Sequence, residues 1–344
     1  MKTSLLFITN VPSFYKIRLF NEISKSRELI VLFVEDAREQ RDADFFSGEM
    51  KYCYFQVKSG KAMLWKMLYF LTKIKFNEVI IDGWDRLVTF FIPFVVSRKK
   101  VACLIESSIY ESKLVGWKAI LKKAFLGRCT CAYCSGIAQE RLALSLGFKG
   151  KIIKFGGCGL LRYKAQPQYE KRDKVKKFLY VGRLSPEKNL RLLVKVFKRF
   201  PNLSLDIIGY GPIEKELKSM ASQNVCFLGA VKNEDLYSHY CNADVFVLPS
   251  ITEPWGLVVE EALNCGTPVI VSDKVGCRED LVTKDTGIVF EYNNAEALCN
   301  AIKEIQQIER YNKLRYGVAQ MDFLERAQKQ VNSFVANRGV KGNS

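Results

Sequence analysis

The chain has 344 residues, of which 48% are hydrophobic, and its formal net charge is +17. This length exceeds what one hydrophobic core usually serves, and the apolar content suffices for two, so a disordered chain is excluded and two domains are expected. Its eleven cysteines are odd in number and scattered, mostly through apolar runs, which is typical of reduced thiols rather than of a disulfide framework.

The positive charge is unevenly placed. Residues 1–160 hold 26 Lys and Arg against 14 Asp and Glu, whereas residues 161–344 hold 27 against 22. The excess of +12 in the first half indicates an anionic partner, and composition leaves a phosphate-rich substrate, a membrane surface and nucleic acid as alternatives. No aromatic-basic RNA motif or helix-turn-helix pattern is visible, which disfavours nucleic acid.

Short runs of β-branched and aromatic residues alternate with helical patterns along the whole chain. The predicted strands of the first half are 5–9, 29–34, 78–82, 101–106 and 130–134. Those of the second half are 178–181, 203–208, 225–228, 244–248, 268–272 and 287–290. Many are apolar on both faces, as strands of a helix-covered parallel sheet must be. The pattern predicts an α/β protein of two doubly wound domains.

A polar segment that contains a proline and lacks apolar periodicity, residues 162–173, is predicted to be the interdomain linker. We therefore expect an N-terminal domain at 1–162 and a C-terminal domain at 175–319, with a terminal helix within 320–344 packing back on the first. The first residues do not have the pattern of a signal peptide, so none is expected. The longest apolar stretch, 87–96, is too short to span a bilayer. A soluble or peripheral protein is expected.

Two stretches of the first half, 58–76 and 113–128, interleave lysine with bulky apolar residues. Each predicts a basic amphipathic helix. Such a helix can lie on anionic lipid, or it can pack its apolar stripe on the domain's own sheet with its lysines outward.

The sequence predicts no metal site. Cys129, Cys131 and Cys134 are clustered, but no second pair follows at zinc-site spacing, and the sole histidine, His239, is distant. The Asp-x-Asp motif in 42–44 lies in a charged segment and is interpreted as a solvated turn.

Segment 180–189, YVGRLSPEKN, is a strand end followed by a helix start. Ser185 is the N-cap candidate, and Pro186 suits the first helical position. In open α/β sheets, ligands bind beyond the carboxyl ends of strands, and helix N-termini favour anions. Arg183 and Lys188 stand where acidic residues are usual, so they indicate either a phosphate site or two solvated surface charges.

Segment 249–268, PSITEPWGLVVEEALNCGTP, predicts a loop and then a helix. Glu253 and Glu261 are eight residues apart, roughly 12 Å along a helix. These carboxylates, with the amides of Gly256 and Leu257 between them, could hold a sugar hydroxyl, a diphosphate and a ribose in one line. Surface glutamates on a capped amphipathic helix would show the same spacing, and a lone pattern of this kind favours that interpretation.

Taken together and in this order, the two segments resemble glycosyltransferase family 4, a family of retaining glycosyltransferases. The resemblance covers nearly all of residues 175–292, including IIGYGP at 207–212 and NADVFVLPS at 242–250. It implies the GT-B fold, in which two Rossmann-like domains face a cleft and the donor nucleotide binds mainly to the C-terminal domain.

The resemblance also implies roles for individual residues. Arg183 and Lys188 match the pair that neutralises the donor diphosphate, and Glu253 matches the carboxylate that faces the donor sugar. These three residues are the catalytic candidates, and Glu261 matches the acceptor of hydrogen bonds from ribose hydroxyls. Trp255 stands where relatives often have phenylalanine. The implied donor-binding residues are Gly182, Arg183, Lys188, Gly209, Trp255, Gly256, Leu257 and Glu261.

The N-terminal half resembles the family less closely. Its opening, TNVPSFYKIRLFNE at 9–22, is similar to a branch active on bacterial surface polysaccharides, and Asn10 and Tyr15 are the acceptor-side candidates. Many relatives place a histidine at a strand end facing the cleft, whereas this chain has Glu106 in a comparable place. A histidine-dependent mechanism is therefore in doubt. Glu106 is either an acceptor-side catalytic residue or a plain capping acid.

The function implied is that of a metal-independent hexosyltransferase without a cofactor, cytoplasmic and soluble or peripheral on the inner face of the plasma membrane. It would move a hexose-type sugar, with retention, from a UDP- or GDP-linked donor to a polyprenyl-diphosphate-linked or surface-polysaccharide acceptor. Two alternatives stay open: a sugar-nucleotide epimerase of the same fold, and a non-catalytic subunit that binds lipid or acceptor. The donor's base and sugar, the acceptor and the linkage are left open by the sequence.

Overall fold

The computed structural model of the protein describes residues 4–35, 48–58, 63–157 and 166–336. The chain divides into two compact units. The first unit comprises Met1–Leu161 together with Leu324–Ser344, and the second comprises Arg162–Phe323. The Asp-x-Asp segment at 42–44 lies outside the described residues.

The first unit alternates strands with helices. Its strands are β1 (Ser4–Thr9), β2 (Glu28–Glu35), β3 (Cys53–Lys58), β4 (Glu78–Asp82), β5 (Val101–Ile105), β6 (Cys131–Cys134) and β7 (Lys151–Lys154). Its helices are α1 (Phe14–Ser26), α2 (Met63–Lys73), α3 (Leu87–Val95), α4 (Trp117–Gly127) and α5 (Ile137–Ser145), joined by the terminal helix α13 (Phe323–Val335). Within the described residues, the strands form one parallel sheet in the order β3-β2-β1-β4-β5-β6-β7.

Both faces of this sheet are covered, because successive side chains of a strand point to opposite sides. Leu6 and Ile8 belong to a hydrophobic cluster with residues of α2, α3 and α4, whereas Leu5 and Phe7 belong to another with residues of α1 and α13. In that second cluster the α13 side chain Phe334 stacks on a tyrosine of β6, with ring centroids 4.9 Å apart. The terminal helix is thus part of the first unit's core.

The second unit repeats the architecture. Its strands are β8 (Lys177–Val181), β9 (Ser204–Ile208), β10 (Val225–Gly229), β11 (Val245–Leu248), β12 (Val269–Ser272) and β13 (Gly287–Phe290). Its helices are α6 (Leu190–Phe197), α7 (Glu214–Met220), α8 (Leu236–Asn242), α9 (Leu257–Asn264), α10 (Arg278–Leu281), α11 (Ala295–Ile305) and α12 (Ile308–Ala319). The parallel sheet has the order β10-β9-β8-β11-β12-β13 over the residues that the structure describes.

The predicted α/β class and the two parallel sheets are confirmed. Two strands were not predicted, β3 and β7, and both lie at the edges of the first sheet. Edge strands are partly exposed and therefore mix polar with apolar residues, as the half-exposed sequence KIIK of β7 does. Their patterns carry little of the two-sided apolar signal on which the prediction of the other strands rested.

The two basic amphipathic helices are shorter than predicted. In the first stretch, 58–76, Lys58 ends strand β3 and the helix is α2. In the second, 113–128, the helix α4 begins only after Gly116, whose φ of +82° is incompatible with a continuous helix. Among the described residues, no helix combines the length and the apolar character needed to cross a membrane.

Candidate active site

The second unit brings the two sequence segments together at the centre of its sheet. Strand β8 ends at Val181 and strand β11 ends at Leu248, and these two parallel strands are neighbours. The chain leaves β8 towards one edge of the sheet and returns through β11 towards the other. This is a topological switch point, where open α/β sheets bind ligands beyond the strand ends.

The loop after β8 is held by backbone contact. A Cβ added at Gly209, which follows β9, would lie 1.9 Å from the carbonyl oxygen of Gly182. Only a glycine allows these two loops to meet. The hydroxyl of buried Tyr180 donates to the carbonyl oxygen of Arg183 at 2.9 Å, which fixes the main chain while the Arg183 side chain remains exposed.

The helix predicted to start at Ser185 has a different form. Pro186–Lys188 is a single 3-10 turn, and α6 begins after Asn189, whose φ of +55° is left-handed. The Ser185 hydroxyl does not cap the turn, because it donates instead to the Glu187 carboxylate at 2.5 Å. This extra turn places Lys188 before α6 rather than inside it.

Lys188 and Glu253 form an ion pair. The Lys188 Nζ lies 2.5 Å from the Glu253 Oε2, and the two side chains are 18% and 12% exposed. The Ser250 hydroxyl approaches the same oxygen at 3.5 Å. The two segments, separated by more than sixty residues in sequence, therefore join through their charged side chains.

The main chain of Glu253 is clamped on both sides. Its N–H donates to the Lys274 carbonyl at 3.2 Å, and its carbonyl accepts from the Gly276 N–H at 2.9 Å. Glu253 thus lies in a fixed loop before α9, not on the helix as its spacing from Glu261 suggested. The Trp255 side chain is buried at 3% exposure.

Helix α9 starts without a side-chain cap. Gly256 precedes it with a φ of +99° and, having no side chain, offers no cap to the first amides, among them that of Leu257. Uncapped amides at a helix N-terminus carry partial positive charge and favour an anion. Glu261, in the second turn, accepts a hydrogen bond from the buried Tyr240 hydroxyl at 2.8 Å. Burial and the Glu261 carboxylate raise the pKa of Tyr240, so it remains a donor.

The acceptor-side candidates meet in the first unit around Lys16. Its Nζ donates to Asn10 Oδ1 and Thr9 Oγ1, each at 2.9 Å, and lies 2.5 Å from Asp82 Oδ2. Glu106 Oε2 is 3.7 Å away. These residues follow or end β1, β4 and β5, and β1 and β4 are the neighbours at which this sheet reverses its order. The cluster therefore occupies the first unit's own switch point.

Charge and burial set the proton affinities of this cluster. Burial alone would lower the pKa of Lys16, but Asp82 and Glu106 raise it above its usual range, so Lys16 is a cation. Burial and the neighbouring Asp82 carboxylate raise the pKa of Glu106 to about 7, against the smaller opposing effect of Lys16. Tyr15 lines a small pocket together with Lys16 and Glu106.

Sequence reasoning missed Lys16 and Asp82. Lys16 shares the buried face of α1 with Leu19, Phe20 and Ile23, at spacings of three, four and seven residues. A lysine at helical spacing among apolar residues indicates a buried ion pair, so the sequence pattern could have identified Lys16. Asp82, which ends the apolar strand β4, was a weaker one.

The three clustered cysteines Cys129, Cys131 and Cys134 are buried and are not part of a disulfide. Over the described ranges, no group of three or more His, Cys, Asp and Glu side chains is placed to hold a metal ion.

Comparison with known families places the second unit. Residues 162–320 match the family model described as glycosyl transferases group 1. The second unit, Arg162–Phe323, is thus similar to this family over almost its whole length. It contains both segments of the candidate donor site.

Curated relatives are similar over parts of their length. The sulfoquinovosyl transferase of Arabidopsis thaliana is 34% identical over 34% of this chain and 24% of the relative. An uncharacterised 41.2 kDa protein in the cps region of Klebsiella pneumoniae is 26% identical over 73% of this chain and 64% of the relative. The O-antigen chain mannosyltransferase B of Escherichia coli is 30% identical over 40% and 38%. The chain therefore spans less than two thirds of each.

Solved structures share the fold of the whole chain. A sucrose-phosphate synthase from Thermosynechococcus elongatus superposes with a TM-score of 0.75 at 19% identity, covering 97% of this chain and 96% of that one. An Anabaena protein solved in complex with UDP superposes with a TM-score of 0.70 at 15% identity, covering 95% and 98%. The neighbours are GT-B glycosyltransferases, which confirms the predicted fold.

Proposed function

We propose that the protein is a retaining glycosyltransferase that moves a hexose-type sugar from a UDP- or GDP-linked donor to a lipid-linked or surface-polysaccharide acceptor. One observation carries the proposal: the Lys188 and Glu253 ion pair joins the two motif segments at the switch point of a unit similar to group 1 glycosyl transferases, beside the exposed Arg183. Cations can bind the donor's diphosphate, one carboxylate can bind its sugar, and a second carboxylate can bind its ribose. The site offers Arg183 and Lys188, Glu253 and Glu261 for these three parts of the donor.

In this proposal the donor diphosphate binds Arg183 and Lys188 together with the uncapped amides at the start of α9. Charge develops on the diphosphate as its bond to the sugar breaks, and fixed cations and amide dipoles stabilise that charge. Glu253, released in part from Lys188, accepts a hydrogen bond from a sugar hydroxyl. Glu261, oriented by the Tyr240 hydroxyl, accepts hydrogen bonds from the ribose.

Relatives and neighbours support the substrate classes. The Anabaena neighbour was solved with UDP, and the Escherichia coli relative is an O-antigen chain mannosyltransferase. A UDP sugar is therefore a candidate donor, a GDP sugar is the alternative that the family resemblance implies, and a surface polysaccharide is the favoured acceptor.

A thermal-shift panel of nucleoside diphosphates tests the donor site. UDP or GDP should raise the unfolding temperature of the wild type, because a ligand at a hundred times its Kd adds about 2.7 kcal/mol to the free energy of unfolding. ADP is the specificity control. The absence of a shift with every nucleotide would contradict the proposal.

Addition of EDTA should change neither nucleotide binding nor turnover, because we propose that the reaction needs no metal ion. Loss of activity in EDTA that manganese or magnesium restores would contradict this.

The first unit carries a surface suited to a lipid-linked acceptor. Helices α2, α3 and α4 pack on the same hydrophobic cluster and expose large apolar side chains next to lysines. We call this surface the apolar-basic face; its exposed residues include Trp65, Lys66, Tyr69, Leu87, Phe91, Phe94, Trp117, Lys118, Ile120 and Lys123. Leu87 is 72% exposed and Trp117 is 68% exposed. Apolar side chains that insert among acyl chains, ringed by lysines that meet anionic headgroups, favour a bilayer surface.

Sedimentation with phosphatidylglycerol and phosphatidylcholine vesicles at low and high salt tests this face. Each lysine near an anionic surface contributes on the order of 1 kcal/mol, so a variant with Lys118, Lys122 and Lys123 changed to glutamine should lose most binding to anionic vesicles. The matched control changes Lys195, Lys198 and Lys232, exposed lysines of the second unit, to glutamine. Equal partitioning of wild type to both lipids, or equal effects of the two triple variants, would contradict the proposal.

A further inference from the structure

The ammonium of Lys16 has no donor to spare. Its three N–H groups meet Thr9, Asn10 and Asp82 at hydrogen-bonding distance, and its side chain is 4% exposed. An external anion would have to displace one of these partners in a buried site, which is costly. The Lys16 ammonium therefore binds side chains of the protein itself and has no N–H group left to bind a phosphate.

Two carboxylates compete for this one cation. Asp82, at 2.5 Å, takes the direct contact and is 8% exposed, whereas Glu106 lies 3.7 Å from the Nζ and is 32% exposed. Among the described residues, Lys16 is the sole ion-pair partner of the Glu106 carboxylate. Glu106 is thus the acid of the cluster that a ligand can reach.

We propose that Lys16, itself fixed by Asp82, is a positioning residue that holds Glu106, and that the ionised Glu106 carboxylate accepts a hydrogen bond from a hydroxyl of the sugar acceptor. This inference rests on the proposed function, because it names the acceptor contact of the same enzyme. Asn10 accepts a hydrogen bond from the same lysine, and Tyr15 lines a pocket with Lys16 and Glu106. A polar group and an aromatic ring next to a carboxylate suit a sugar, which offers hydroxyls and an apolar ring face.

The same geometry makes Glu106 sensitive to pH. Its pKa is raised to about 7, so the carboxylate gains its charge as pH rises through that value. The charged and titratable groups that face the cluster are Lys16 and Tyr15 from α1 and Asp82 from β4, while α13 contributes the uncharged Gln330 to the pocket. Acceptor binding should therefore strengthen from acidic to mildly alkaline pH.

Three substitutions separate this arrangement from a merely structural one. Asp82→Asn removes the competing negative charge, so the pKa of Glu106 should fall by roughly one unit or more. Lys16→Met removes the cation and leaves two carboxylates together, so that pKa should rise. Glu106→Gln should abolish the titration. Glu140→Gln is the matched control, since Glu140 pairs with Lys154 elsewhere in the first unit.

Carbon-13 NMR of glutamate carboxyls in the full-length protein measures these changes without any substrate. We expect one resonance with a midpoint near 7 that is absent in Glu106→Gln, moves to lower pH in Asp82→Asn and is unchanged in Glu140→Gln. Asp82→Asn keeps the result decisive if Lys16→Met does not fold. A Glu106 midpoint near the ordinary value for glutamate, or no shift in Asp82→Asn, would overturn the inference.

The role in acceptor binding is measured with UDP-glucose and GDP-mannose as donors and octyl glucoside and octyl mannoside as acceptors. Glu106→Gln should raise the acceptor KM by about tenfold and flatten its dependence on pH, with UDP and GDP binding unchanged. An unchanged pH profile would overturn the inference while leaving the donor site intact. If the wild type binds neither UDP nor GDP, the proposed function is wrong. The NMR titration would in that case still test whether Lys16 and Asp82 set the pKa of Glu106.

Discussion

The two units place a lysine at the same point of the same kind of sheet, yet the two lysines differ in what they can reach. Lys16 is 4% exposed and its three donors are all occupied, whereas Lys188 is 18% exposed, has one carboxylate partner among the described residues and lies near the exposed Arg183. In the first unit the reachable group is a carboxylate, Glu106. In the second unit it is a cation.

This difference separates overall charge from site chemistry. The first half of the chain carries the larger positive excess, but its switch-point cation is used internally and the excess lies on surface lysines. The loops are also fixed in different ways, by a buried ion pair around Lys16 in the first unit and by the backbone contact of Gly182 with Gly209 in the second. A basic half therefore does not imply a basic site.

Lys188→Ala gives the largest expected effect and tests whether this cation is available. Turnover and nucleoside diphosphate affinity should fall about 10²- to 10³-fold, because a fixed charge that faces the leaving diphosphate is lost. Isothermal titration with UDP and GDP measures the change. Lys195→Ala, which removes an exposed lysine of α6, is the control. Unchanged binding in Lys188→Ala would mean that Lys188, like Lys16, serves only its internal partner.

Gly209→Ala tests the backbone contact. Its Cβ would lie 1.9 Å from the Gly182 carbonyl oxygen, so the loop must move, at a cost of about 3 kcal/mol in the free energy of unfolding. Gly229→Ala is the matched control, because its φ is +69° but nothing lies within 4 Å of the added carbon, and about 1 kcal/mol is expected. Thermal unfolding with and without UDP measures both. Equal losses in the two variants would show that the Gly182 contact is not needed.

Arg183→Ala should have a smaller effect than Lys188→Ala, about tenfold on nucleotide affinity, since an exposed arginine is screened by solvent. The unfolding temperature should not change, because the Tyr180 hydroxyl binds the Arg183 carbonyl and not its side chain. Steady-state kinetics together with thermal unfolding checks both statements. A destabilised Arg183→Ala protein would assign this arginine to the fold rather than to a ligand.

Glu106→Gln should have the smallest effect, on the pH dependence of stability. The pKa of Glu106 is about 7 in the folded protein and 4.5 as its ordinary value, so the folded state binds the extra proton between these values and loses stability as pH rises through them. The effect is modest because about a third of the side chain is exposed. The variant should therefore gain unfolding temperature relative to wild type at pH 8 and not at pH 4. A parallel change at both pH values would contradict the assignment.

Much of the fold and of the donor segments followed from local pattern. Short apolar runs predicted eleven strands, many of them apolar on both faces, because burial on both faces is a property of each strand's own residues. The segments around Arg183 and Glu253 were found because, in each, the residues typical of a strand end, a loop and a helix start follow one another directly in the chain. The edge strands β3 and β7 were missed because partial exposure removes that pattern.

By itself the sequence determined the α/β class, the parallel sheets and the residue types at the strand ends, since these depend on periodicity within short segments. Only the tertiary structure decided which charges pair. Lys188 meets Glu253, and Lys16 meets Asp82 and Glu106, because parallel neighbours in a sheet are distant in sequence and their order is set by the packing of whole units. Whether a lysine is open to a ligand or occupied by its own protein depends on those partners, and no local pattern contains them.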